Sequence, residues 1–101
     1  MNIPDKIIIS GMEYEVILTD EPIFMDNLKA YGHIDFEKKK ILIDKNIRDK
    51  QGHIQTLIHE IIHGIMYDRE LNLKSDREET IVDQLANGLY QVIKDNPDMF
   101  K

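Results

Sequence analysis

The chain has 101 residues, a length that fits one domain spanning 1–101 with a modest core, and its 42% hydrophobic and 32% charged residues are those of an ordinary soluble globular protein. A formal charge of −6 disfavours nucleic acid as a partner, because phosphates would be repelled. No apolar stretch approaches the ~20 residues of a membrane span, and Met1 to Lys6 carries no basic region leading into an apolar run, so neither a membrane segment nor a signal peptide is expected.

In chain order, Lys6 to Ser10 (KIIIS) is apolar and β-branched, Ser10-Gly11 supplies a turn, and Met12 to Thr19 alternates through Tyr14, Val16 and Leu18. That is a β-hairpin pattern. Asp20 to Ala30 contains Pro22 and mixed polarity, which predicts a loop with one helical turn. A second hairpin follows, Tyr31 to Asp35 and Lys39 to Asp44, turning through Phe36-Glu37-Lys38 and carrying Ile41 and Ile43 on one face.

The second half changes period. Ile54, Leu57, Ile58, Ile61, Ile62 and Ile65 recur at helical spacing, which predicts a helix from Asp49 or Lys50 to Tyr67 or Asp68. A second helix carries Ile81, Val82, Leu85, Leu89, Val92 and Ile93 on one stripe. Its start is expected at a capping box, with Ser75 as N-cap and Glu78 reaching back from the third helical position. It should fray near Asp95-Asn96-Pro97, since a residue before proline resists helical geometry. The expected fold is α+β: a small antiparallel sheet of about four strands, formed by two hairpins, packed on two helices.

His59-Glu60-Ile61-Ile62-His63 is an HExxH motif inside the first helix. Residues four apart on a helix stack one above the other, so two imidazoles can grip one zinc ion at about 2.0–2.1 Å. Glu60 is offset by ~100° around the axis, where it can take a proton from water whose pKa the metal has lowered towards ~7. The two histidines lie on the flank of the isoleucine stripe, where a catalytic ion sees both protein and solvent. With no cysteine in the chain, the remaining ligand must be His or a carboxylate, and no His follows His63. The same lack of cysteine fits a reducing, cytoplasmic setting. An acid on the second helix is therefore expected as third ligand. Glu79 is favoured, with Asp83 one turn on accepting from the free ring nitrogen of a ligating His, while a register shifted by one turn would make Asp83 the ligand. Tyr90 and Tyr67 are candidate hydrogen-bond donors to an oxyanion, and His33 and His53 read as ordinary surface residues.

HExxH followed by a Glu on a second helix, with an acid four residues later, resembles the gluzincins, the thermolysin-like zinc peptidases. In length and wording the chain is similar to the minimal gluzincins and to phage-encoded ImmA/IrrE-like metallopeptidases. The matching text is Tyr31 to Asp35, Lys40 to Asp44, Thr56 to Gly64, and Glu79 to Val92. The resemblance implies His59, His63 and Glu79 as ligands and Glu60 as general base. It further implies that Lys39 to Asp44 borders a cleft and pairs with an extended peptide. The chain departs from the larger enzymes in having no downstream His for the oxyanion. The expected activity is hydrolysis of a peptide or protein substrate. The rival reading is a zinc-stabilised phage or mobile-element interaction module with latent or no turnover. A nucleic-acid-linked SprT-like peptidase is disfavoured by the acidic charge.

Overall fold

The computed structural model describes residues 1–100. Strands β1 (Lys6–Ile9) and β2 (Met12–Thr19) form the first expected hairpin, with Ile9 opposite Met12. Its turn places Ser10 at φ 51° and Gly11 at φ 82°, the paired positive dihedrals that match the twist of two antiparallel strands. The segment expected to be a loop with a helical turn instead holds a second small hairpin, β3 (Ile23–Met25) with β4 (Leu28–Ala30). Asp26 and Asn27 take φ 52° and 67° at its turn. Both residue types tolerate the left-handed region, so the pair could have signalled a hairpin; Pro22 sits just before the first strand instead of interrupting it.

Strands β5 (Gly32–Asp35) and β6 (Lys40–Asp44) pair antiparallel, as expected. The order β1-β2-β6-β5, however, joins the two large hairpins through a parallel β2–β6 pair, with Glu15 opposite Lys40 and Thr19 opposite Asp44. The main sheet is therefore mixed, not antiparallel. This also corrects the expectation for the cleft border. Both edges of β6 are occupied, by β2 and β5, and the strand left at the edge beside the helices is β5.

Helix α1 (Lys50–Asp68) starts where the sequence places it, with the Asp49 carboxylate accepting from the Gly52 N–H at 2.9 Å. It lies between two layers. Leu57 and Ile61 face the sheet, packing with Ile9, Ile34, Ile41 and Ile43, whereas Ile54, Ile58 and Ile62 face the second helix. Gly64 allows the close approach to the sheet, since a Cβ there would sit 3.0 Å from Ile9 Cδ1 and 3.2 Å from Ile34 Cδ1.

Helix α2 (Glu78–Asp95) ends before Asn96-Pro97 as expected, and Pro97–Phe100 forms a 3₁₀ turn. Its start differs. No capping box forms: Arg77 is the N-cap without a side-chain bond, and Ser75 Oγ accepts the Arg77 N–H at 3.0 Å. A serine hydroxyl that bonds its own turn is not available to the helix. The buried face also differs from the expected stripe. Val82, Ala86 and Tyr90 are buried against α1, while Ile81, Leu85, Leu89 and Val92 are exposed. Among the described residues no helix is long and apolar enough to cross a membrane.

Candidate metal centre

The way α2 packs decides the site. With Val82, Ala86 and Tyr90 against α1, the first-turn residue Glu79 comes to the same side and meets the two histidines. His59 Nε2 stands 2.6 Å from Glu79 Oε1, and His63 Nε2 stands 3.0 Å from Glu79 Oε2. The two Nε2 atoms are 3.2 Å apart. His59, His63 and Glu79 thus bring three ligand atoms within 4.8 Å of one another, and the group could hold a metal ion.

The donor set fits one. Two donors held at about 2.0–2.1 Å from one ion with tetrahedral angles lie about 3.3 Å apart, close to the histidine spacing. Two nitrogens and a carboxylate oxygen are also the donor chemistry of an open site that leaves a fourth position for water or substrate. Asp83 does not join them. Its Oδ1 lies 3.5 Å from Nδ1 of His59, behind the ring, where an acid orients an imidazole without ligating through it. Glu78, half-buried at the helix start, stays outside the cluster.

Glu60 occupies a different environment from Glu79. It is 6% exposed, beneath β5, with a backbone hydrogen bond from Ile34. Loss of water pushes its pKa from 4.5 up to about 8; the nearby Glu79 charge adds to the rise, and the Ile34 hydrogen bond opposes it. Gly32 lets β5 come close to Thr56 of α1 and to the β6 backbone beside this carboxyl. A Cβ at that position would lie 2.6 Å from Thr56 Cγ2, 2.9 Å from the Leu42 carbonyl oxygen and 3.4 Å from Glu60 Oε2. A glycine inside a strand is a sequence cue for such a close approach.

The centre opens on two lobes that share Ala30, Gly32, Glu60 and Glu79. One, of about 340 Å³, is walled by Tyr31, Arg48, Gln55, Thr56 and His59; the other, of about 510 Å³, by Met25, Leu28, Ile34, Phe36 and His63. Both fall in the size range of ligand sites. His33 on β5 lines the second lobe and is only half-exposed, while His53 on α1 keeps its Nε2 buried without a hydrogen-bond partner. Neither is the plain surface residue that the sequence suggested.

The two tyrosines are placed apart from the ligand cluster. Tyr90 is buried with Ile54, Ile58 and Ala86 and lines neither lobe, because it shares the face of α2 that packs on α1. Tyr67 stacks on Phe36 with ring centroids 4.0 Å apart, beside the larger lobe. Sequence reasoning missed Arg48, Gln55, Thr56 and Tyr31 as cleft residues. Only Gly32 carried a signal, since the others are ordinary loop or helix positions. The chain matches no family model, no curated protein and no solved structure.

Proposed function

We propose that the chain is a zinc-dependent peptidase, with His59, His63 and Glu79 holding the ion and Glu60 acting as general base. The observation that carries it is the separation of roles between two carboxylates. Glu79 faces both imidazoles, whereas Glu60 is buried next to them and lines both lobes of the cleft. A purely structural site needs no such acid and is usually closed by a fourth protein ligand; among the described residues the cluster has three. Bound there, zinc would supply Lewis acidity to a carbonyl and acidify water.

The chain's own groups do the rest. Burial is the main cause of the raised Glu60 pKa; engaging Glu79 as a ligand would relieve the smaller, like-charge contribution and so shift Glu60 towards the carboxylate a base requires. Glu60 then takes the proton from the attacking water and returns it to the leaving amine. β5 has no strand on its outer edge along the cleft; the Ile34 N–H there already donates to Glu60, and the groups left over suit an extended peptide bound by main-chain hydrogen bonds. The resemblance of the motif region to minimal gluzincins and ImmA/IrrE-like metallopeptidases points the same way. The uncovered apolar face of α2 favours a second reading, an interaction module without turnover.

Metal analysis combined with a peptide-library digest separates the two. The wild type is expected to carry about one zinc and to cut peptides, with activity lost to chelation. Glu60→Gln should retain zinc while hydrolysis falls by ~10²–10⁴-fold. An absence of metal, or a Glu60→Gln variant that digests like the wild type, would overturn the assignment. Bound zinc without turnover in the wild type would favour the interaction module.

A further inference from the structure

Arg48 precedes the N-cap of α1, between β6 and the helix, and it is half-buried at the wall of the smaller lobe. Three contacts hold it. Its stem crosses Gly52, where a Cβ would lie 2.6 Å from Arg48 Cβ and 3.0 Å from Cδ. Its guanidinium sits 5.2 Å from the centre of the Tyr31 ring, and Nη2 donates to Gln55 Oε1. Among the described residues no carboxylate approaches within the 4.0 Å of an ion pair.

The other charged groups of that lobe are Glu60, Glu79 and Asp83, and each is already engaged. Glu79 faces both ligand histidines, Asp83 backs His59, and Glu60 is buried under a backbone hydrogen bond from Ile34. Arg48 is the only Arg or Lys that lines the lobe, and among the described residues no carboxylate pairs with it. A guanidinium drawn partly out of water, with its fork immobilised and most of its N–H groups free, is arranged to receive a planar anion.

We propose that Arg48 anchors a carboxylate of the bound peptide, either its C-terminal carboxylate or an Asp or Glu side chain. This rests on the peptidase function proposed above and gives it a substrate class. The opposite lobe is mixed in character: Met25, Leu28, Ile34 and Phe36 line it beside Asp26, Lys29 and His33, and its aliphatic and aromatic part would take an apolar residue on the other side of the reacting bond from the carboxylate.

The test is a binding measurement on zinc-loaded Glu60→Gln protein, which separates recognition from turnover. Three short peptides share one apolar residue and are titrated by calorimetry. One has an internal Glu and an amidated end, one has Gln and an amidated end, and one has Gln and a free carboxylate. At least one of the two acidic peptides should bind about tenfold or more tightly than the neutral one, as a charge-assisted hydrogen bond provides. Whichever it is identifies the carboxylate's source. Arg48→Met should abolish the preference, Arg48→Lys should keep part of it, and Gly52→Ala, which displaces the stem, should weaken it. Equal affinity for all three peptides, no binding by either acidic peptide, or a preference that survives Arg48→Met would overturn the assignment. If the wild type cuts nothing yet the Arg48-dependent preference persists, the anchor stands and the peptidase reading falls.

Discussion

The two helices carry similar apolar inventories and have opposite fates. α1 is covered on one side by the sheet and on another by α2, so Leu57 and Ile58 are both buried. α2 packs on α1 and on the short 3₁₀ turn that follows it, and although its sequence stripe is the more sharply amphipathic, Leu85 remains 58% exposed. An apolar stripe makes a helix amphipathic, but the neighbour selects which arc is buried. Here that selection brings Glu79 to the histidines and leaves Ile81, Leu85, Leu89 and Val92 outside.

The largest difference between the helices should appear on truncating a leucine in each. Leu57→Ala removes a side chain from the sheet core and should cost about 2–5 kcal/mol, whereas Leu85→Ala should change stability by no more than about 0.5 kcal/mol. Urea unfolding of the two variants decides it. A large loss for Leu85→Ala would mean that the outer face of α2 is covered in solution.

The acids divide the same way, buried Glu60 on α1 against exposed Glu79 on α2. In the metal-free protein, both folded and unfolded chains hold the Glu60 proton below pH 4.5, so Glu60 contributes no pH effect there. Between 4.5 and about 8 the unfolded chain has released a proton that the folded chain keeps. Stability should therefore fall as pH rises through that window and level off above it. Thermal melts of metal-free wild type and Glu60→Gln across pH 5 to 8 test this, with the Glu60 contribution to the slope missing in the variant.

The smallest effect concerns one glycine in each helix. Nothing lies within 4 Å of a Cβ built on Gly88 of α2, so Gly88→Ala should stabilise by about 0.8–1.0 kcal/mol. The same change at Gly64 of α1 presses on Ile9 and Ile34 and should lose that gain. Unfolding curves with the same sign for both would break the contrast.

Local signals were legible. The alternation of Tyr14 and Val16, the Ile41 and Ile43 pair, the isoleucine spacing of α1 and the four-residue offset of His59 and His63 each depend on neighbours a few residues away. What was not legible depends on partners distant in sequence. Alternation fixes which face of β2 and β6 is buried but not that the two strands run parallel. The capping box was read from letters that fit, yet Ser75 satisfies its own turn. Glu79 and Asp83 share one flank of α2, so helix geometry did not rank them and the preference for Glu79 rested on its longer reach; Tyr90 went into the core because α2 packs through a different arc from its most apolar one. Arg48 is made a cleft residue by Tyr31, Gly52 and Gln55 together, which no local pattern announces.

The parallel β2–β6 pair also sets the order in which the chain can fold. Each hairpin and each helix closes over short sequence distances and can form early. The β2–β6 ladder joins residues 25 positions apart, Glu15 with Lys40, and it yields hydrogen bonds only after that loop has closed. Docking of one preformed hairpin on the other is thus the expected slow step, and folding-rate effects of mutation should concentrate in β2 and β6. The turns of the segment between them should tolerate extra length, because doubling a flexible loop adds only about 0.6 kcal/mol to its closure. The β3–β4 hairpin sits in that segment, so the part of the cleft formed by Met25 and Leu28 can change in length at little kinetic cost to the sheet that supports it.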